Sequence, residues 1–369
     1  MKTQTYNFID GSKFTVYDYP FMKKVRSENY NYNFNKISGR FERCGKTEKD
    51  DPDFAPAPEI LDIEVTTICN GIPDKNGVKR PCSFCYKSNT PNGKNMSLET
   101  FKKVIDRYPL FLTQIALGAD SECQSNPEIF DMMKYARSKG IVPNITVANI
   151  SDDTAKKLSE IAGAVAVSRY ADKNVCYDSI KRLTDLGMKQ INMHFMISEQ
   201  TFEDCKETLN DILTDSRLKG LNAIVLLSLK KKGRGEKYTP LSEYKFKYLV
   251  NFCLEHNISF GMDSCSAPKF LNSVKGHKYY NEFLTRSEPC ESGLFSSYIN
   301  VEGKFYPCSF TEGSCGLYGD WQDGIDLTKD GFDFFKDLWF SDKVVQWRNN
   351  LLNSKDKCSG CRKCPAFDV

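Results

Sequence analysis

The chain is short of imidazole, of long apolar runs and of net charge. It has three histidines, His194, His256 and His277, so a site built mainly from histidine has little to draw on. Nowhere is there a run of about 18 apolar residues, the least that spans a bilayer as a helix. The opening MKTQTYNFIDGSKFTVYDYPF has no continuous apolar region of signal-peptide length. A cytoplasmic location and no membrane partner are the expectation. Lys+Arg number 51 against Asp+Glu 48, a net +3. So balanced a charge gives no overall field for nucleic acid or an anionic surface, and a nucleic-acid partner, while not excluded, must be argued from a local patch.

Cysteine is what the chain has in excess. Its 369 residues, 40% of them apolar, can bury a sizeable core in about two to three domains. A reducing cytosol gives no reason to keep 15 cysteines as disulfides. Cys69, Cys82 and Cys85 cluster after one apolar strand, and Cys290, Cys308, Cys315, Cys358, Cys361 and Cys364 gather in the last eighty residues. Those two groups read as metal ligands. Cys44, Cys123, Cys176, Cys205, Cys253 and Cys265 are scattered, as small buried hydrophobes are.

The cysteines sit in an ordered frame. Residues 1–58 alternate aromatic and polar side chains, with turns at Asp10-Gly11 and Ser38-Gly39, and read as a β-rich extension. The charged, then proline-rich KTEKDDPDFAPAPE marks a boundary. From Ile60, strand-length apolar runs alternate with helical periodicity through six βα units, and ISFGM closes the series. Such alternation implies a parallel sheet covered by helices. The count favours a partial (β/α)6 TIM-like barrel over residues 59–270, although an open doubly wound sheet shows the same alternation. In both folds ligands gather at the carboxyl ends of the strands, where the Cys69 loop lies. Residues 271–369 read as a small cysteine-rich domain that needs metal to complete its core.

Zinc is the ordinary reading of a C-x-x-C. Against it, the first set offers three cysteines and no nearby fourth ligand, begins at the mouth of a parallel sheet, and has Phe84 before its last sulfur. A [4Fe-4S] cluster with one iron free fits three thiolates better. Cys69, Cys82, Cys85 and Phe84, placed after a first strand and before further βα units, resemble the signature of the radical S-adenosylmethionine (SAM) superfamily. The usual first gap is three residues and here it is twelve, so GIPDKNGVKRP must fold back, with Lys75, Lys79 and Arg80 at hand over the cavity. The resemblance implies that the free iron chelates the methionine part of SAM and that reduction yields a 5′-deoxyadenosyl radical, which abstracts hydrogen from a substrate. It places Phe84 near adenine and Gly118-Ala119-Asp120 near the methionyl amine, with Ala119 where the family prefers glycine and Asp120 or Glu122 in place of its acid. It also places Ser168 near the ribose or carboxylate, and Asn192 or His194 as a further contact; for His194 a core or cavity-wall role is an equal reading.

Cys290, twelve residues, Gly303, four residues, Cys308 is similar to the opening of the SPASM and twitch modules, which carry auxiliary iron-sulfur clusters. The closing C-x-x-C-x-x-C departs from the full SPASM pattern. The resemblance implies one auxiliary [4Fe-4S] cluster held by Cys290, Cys308 and two of Cys358, Cys361 and Cys364, with a structural zinc ribbon as the alternative. It makes Cys265 a candidate hydrogen-atom donor, and a flavodoxin- or ferredoxin-type protein the electron donor. Lys230 to Gly235, KKKGRG, is a basic glycine-containing loop able to bind a phosphate or carboxylate, or to be a solvated turn. The expectation is a radical SAM oxidoreductase or maturase acting on a peptide or protein side chain, although residues 1–58 show no leader-binding winged helix. A nucleotide, nucleic-acid base or small metabolite is the alternative substrate. An iron-sulfur electron carrier and a zinc-dependent interaction protein are the non-enzymatic readings.

Overall fold

The computed structural model describes residues 1–8, 10–74, 76–170, 172–316 and 318–367. Five strands, β1 (Lys2–Asn7), β2 (Lys13–Asp18), β3 (Met22–Arg26), β4 (Asn31–Asn35) and β5 (Phe41–Cys44), form an antiparallel meander in chain order. Alternation along them buries Val16, Val25, Tyr32 and Phe34. Turns close at the predicted dipeptides, Gly11 donating to Phe8 and Gly39 to Asn35.

The next strands are β6 (Ile60–Glu64), the short hairpin β7 (Ile72–Pro73) with β8 (Lys79–Arg80), then β9 (Gln114–Gly118), β10 (Val142–Val147), β11 (Val165–Ser168), β12 (Ile191–Ile197), β13 (Ala223–Ser228) and β14 (Phe260–Met262). Between them run α1 (Leu98–Arg107), α2 (Ile129–Ser138), α3 (Asp152–Ile161), α4 (Lys173–Asp185), α5 (Phe202–Thr214) and α6 (Glu243–Glu255). The helices start where their caps dictate: Ser97 accepts from Thr100 N ahead of α1, and Ser151 from Thr154 N ahead of α3. The sheet order β6-β9-β10-β11-β12-β13-β14 follows the chain without reversal, and every pair is parallel. A doubly wound sheet reverses order at a switch point. The structure is therefore the singly wound partial barrel.

The terminal segments meet each other, through Phe8 on Phe335 and Arg43 on Glu288. Tyr6 accepts from Leu110 N at 2.8 Å and Lys23 donates to Leu112 O at 2.6 Å, so the meander packs at the amino end of β9. It sits at the end of the barrel away from the cysteine loop. The C-terminal part, expected as a separate domain from residue 271, instead extends the barrel's own sheet. After α7 (Ala267–Ser273) and α8 (Tyr280–Arg286), strand β15 (Ser296–Ile299) pairs parallel with β6, and β16 (Lys304–Tyr306) and β17 (Ile325–Asp326) add antiparallel. Ser296 pairs with Ile60 and the register runs through Ile299 with Ile63. Trp321, Trp339 and Trp347 fill the core beneath α9 (Asp342–Asn353), and Trp339 and Trp347 donate to Ala55 O and Ser292 O. Among the described residues no helix is long and apolar enough to cross a membrane.

Candidate functional site

The lumen is lined by the strand residues that alternate with the core. On β6, Leu61 and Ile63 are buried, so Asp62 and Glu64 take the other face. Asp62 shares a rung with Ala116 and Asn144, and Glu64 with Gly118 and Thr146. Ser168 pairs with His194, and His194 with Val225. Small and polar side chains thus leave a cavity on the concave side. Asp62 is both solvent-accessible and surrounded by protein, as a side chain lining an internal cavity is. Burial alone pushes its carboxyl up to about 6, and burial lowers the His194 imidazole to about 4, so His194 is neutral at physiological pH.

The long gap between Cys69 and Cys82 folds back as a hairpin. Ile72 pairs with Arg80 and Pro73 with Lys79, while Cys69 N donates to Thr90 O at 2.9 Å. Ser121 donates to Gly71 O at 2.7 Å and Lys79 pairs with Glu122 at 2.7 Å, so the hairpin is tied to the segment after β9. Lys79 and Arg80, expected over the cavity, pair instead with Glu122 and Asp74, and Lys75 lies outside the described residues. The chain thereby returns with Cys69, Cys82 and Cys85 facing one another. Burial, then the neighbouring Cys85 and Cys69, push the Cys82 thiol up to about 12; burial also raises Cys69, with Cys85 adding to it. Three thiols that repel as thiolates in this setting suit a cationic metal group, whose charge offsets the repulsion.

The basic loop supports the cysteines. Arg234 donates through Nε to Cys82 O at 2.9 Å, through its backbone N to Cys85 O at 3.0 Å, and through both terminal nitrogens to Asn89 O at 3.3 Å. Lys232 donates to Phe310 O and Glu312 O, and Lys230 is buried against Asp263. The phosphate-binding expectation for KKKGRG is corrected: three of its four cations are engaged within the protein. Five backbone carbonyls and the Asp263 carboxylate offset their charge.

Beside the triad lies a cavity of about 350 Å³ lined by Cys82, Phe84, Arg169, Tyr170, Phe195 and Tyr238. Phe84 packs against Tyr170 at 5.3 Å and Tyr238 at 5.9 Å. The Tyr170 hydroxyl stands between Ser168 and Cys82. Arg169 is buried with its Nε unpartnered, a donor suited to an acceptor on a bound molecule. Gly118 ends β9 open to the lumen, and Ala119 packs on the core. Asp120 accepts from Gln124 N and Ser125 N and stands within electrostatic reach of Cys69. Asn192 accepts from Asn222, just before β13, which holds it toward the amino ends of the strands and away from the cysteine loop. Ser168, Phe84 and Asp120 are therefore gathered around the triad, and Asn192 is not.

The C-terminal cysteines separate into two groups. Cys290 is buried and Cys308 follows β16 by two residues. Cys364 is held near them by Arg362, which donates to Cys290 O at 3.0 Å. Cys358 is exposed, Cys361 turns to Ser359, and Cys315 is exposed against Gln322. Tyr86 joins the two regions: it follows Cys85, packs on Phe310 at 4.4 Å and hydrogen-bonds Ser309, the neighbour of Cys308. Lys87 links them again, through Glu64 at 3.2 Å, Tyr298 at 2.8 Å and Glu312.

Sequence reasoning missed Asp62, Glu64, Tyr86, Tyr170 and Arg169. Its one available signal was the pair of carboxylates in the otherwise apolar ILDIEV. Among the described residues no group of three or more His, Cys, Asp or Glu is arranged to hold a single metal ion. A zinc site draws its ligands to one point, whereas a cubane carries thiolates at separate corners and asks for a wider spacing.

A singly wound partial barrel with a thiol triad at its carboxyl mouth and a β-rich amino-terminal sheet is the arrangement these elements define. SuiB from Streptococcus suis has this fold: its structure bound to precursor peptide SuiA aligns with a TM-score of 0.66 at 11% identity, covering 94% of this chain and 93% of that one. Its structure bound to S-adenosylmethionine aligns with a TM-score of 0.57 at 13% identity, covering 84% and 70%. No family model and no curated protein matches the chain.

Proposed function

We propose that this protein is a radical SAM enzyme that modifies a peptide or protein side chain. The observation that carries the reading is the convergence of Cys69, Cys82 and Cys85 at the carboxyl end of the first barrel strand, beside an open lumen. Cys69, Cys82 and Cys85 would hold a [4Fe-4S] cluster there, which would supply the electron for reductive cleavage of SAM to the hydrogen-abstracting 5′-deoxyadenosyl radical. Phe84 and Tyr238 wall the adjoining cavity, Arg169 offers it a buried donor, and Tyr170 stands between Cys82 and Ser168. Asp62, whose carboxyl sits near 6, holds or releases a proton in the lumen close to neutral pH, so it is placed to accept one from a substrate or to bind its amine.

A peptide substrate is supported by the likeness, over nearly the whole of both chains, to SuiB bound to a precursor peptide. An auxiliary cluster in the C-terminal region assists, and a flavodoxin- or ferredoxin-type protein delivers the reducing electron. The test is anaerobic incubation of reconstituted protein with SAM, dithionite and the short peptides encoded beside its gene, read by mass spectrometry. A peptide lighter by two hydrogens, formed only with SAM, is expected. Deoxyadenosine formed while every peptide stays unchanged would overturn the peptide and leave the enzyme class standing.

A further inference from the structure

We infer that the auxiliary cluster is held by Cys265, Cys290, Cys308 and Cys364, so that its fourth ligand comes from the end of the last barrel strand and not from the other tail cysteines. The assignment rests on the reading that this enzyme carries a second iron-sulfur cluster. Cys265 lies three residues past β14, in the turn at Ser264–Ser266 that leads into α7. Its thiol stands against those of both Cys290 and Cys364, lining one cavity with Cys364, and Cys308 stands within its electrostatic reach. Four cysteines from four separate segments therefore meet: the β14 turn, the segment before β15, the turn after β16, and the chain end. Core packing brings thiols together only as a pair elsewhere, Cys205 of α5 with Cys253 of α6, whereas here four meet from four segments.

The surroundings suit thiolates. Lys230, buried between Ser228 O and Asp263, faces Cys265 and Cys364 with its positive charge. Ser292 Oγ lies 3.3 Å from Cys290 Sγ. The backbone N–H of Phe310 points at Cys308 and those of Ala366 and Phe367 at Cys364, while Thr311 N donates to Cys308 O at 3.1 Å. Hydrogen bonds to sulfur of this kind stabilise cluster thiolates and tune their potential. The hydrogen-donor role expected for Cys265 is thereby replaced: its thiol is turned to other cysteines. Of the other expected ligands, Cys358 is exposed on the cavity that Cys265 and Cys364 also line, and Cys361 turns to Ser359. A fully thiolate-ligated cluster has no iron free to coordinate substrate, which assigns this site to electron transfer. Tyr86, bonded to Ser309 beside Cys308 and following Cys85 in the chain, gives the two cysteine sets a short connection.

Iron and acid-labile sulfide counts with low-temperature EPR, on anaerobically reconstituted protein, test the assignment. Wild type is expected to hold about eight irons, the content of two cubanes. Cys265→Ala and Cys364→Ala are expected to fall to about four and to lose one EPR signal, while Cys358→Ala and Cys361→Ala keep about eight and both signals. Cys265→Ala at full iron with both signals would overturn the assignment, as would loss of a cluster in Cys361→Ala. Wild type at about four irons would overturn the auxiliary cluster itself, and the assignment with it. Circular dichroism of each apo-protein checks folding, and Cys265→Ser replaces the alanine variant should that one not fold.

Discussion

Replacing Gly233 by alanine puts a methyl group where the cysteine loop already lies. Gly233 has φ of +58°, and a Cβ there would stand 2.5 Å from Tyr86 O, 2.6 Å from Ser88 Oγ and 2.9 Å from Cys85 O. Two of those atoms are backbone and cannot rotate away, so the 85–88 segment must move by roughly 0.5–1 Å to restore ordinary contact. The left-handed backbone adds about 1–2 kcal/mol for any L side chain, and overpacking about 1–3 kcal/mol more. Gly11 is the control: its φ of +83° carries the same backbone term, and nothing lies within 4 Å of its Cβ position. Gly11→Ala is expected to lower the guanidinium unfolding free energy by about 1–2 kcal/mol and to load iron as wild type does. Gly233→Ala is expected to lose more stability and, because Cys85 is displaced, to retain well under half of the iron at the Cys69–Cys82–Cys85 site. Iron per chain and the unfolding midpoint are measured on both. Full iron loading of Gly233→Ala would refute the reasoning that this loop positions the thiols.

Two further outcomes follow from buried titratable groups. Lys23 is fully buried with its amine on Leu112 O, and burial, opposed by Asp18 and reinforced by Lys36, lowers it to about 7. Between pH 7 and the free lysine value near 10.4 the unfolded chain holds a proton that the folded chain has released, so stability rises with pH across that window, by at most ~5 kcal/mol. Lys23→Met removes this rise and is more stable than wild type below pH 7, which unfolding curves at several pH values check. His194 has the same sign in a more acidic window: lowered to about 4, it is neutral in the fold, and the unfolded chain takes up its proton first as pH falls from 6.5. Stability is therefore lost between pH 6.5 and 4, by at most ~3 kcal/mol and less where lumen water screens the ring. NMR titration of the imidazole is expected to show no protonation above about pH 5.

The barrel was legible because each unit carried its own signal. Runs such as INMHFMI alternate buried and lumen-facing positions over their whole length, and the helices begin at hydroxyl caps such as Ser97 and Ser151. The triad was legible for the same reason, being three cysteines on one loop. What the sequence hid were meetings of distant segments. Cys265 looks like any scattered small hydrophobe until β14 sets it against Cys290 and Cys364. The KKKGRG loop looks like an anion site until Arg234 is seen to use its donors on Cys82 O and Asn89 O. The C-terminal region looked separate because its segments are short and irregular, and only the pairing of β15 with β6, more than 230 residues apart in the chain, makes it part of the barrel sheet. Periodicity reports local structure, and it is silent on which loops share a site.

The central claim, that Cys69, Cys82 and Cys85 hold the cluster that cleaves SAM, is tested most directly by 5′-deoxyadenosine. Wild type and Cys82→Ala are reconstituted anaerobically, given SAM and dithionite, and the nucleoside is quantified by liquid chromatography. The account predicts deoxyadenosine from wild type and none from Cys82→Ala, with circular dichroism showing both folded. Deoxyadenosine formed equally by both, or none from iron-loaded wild type, would contradict it.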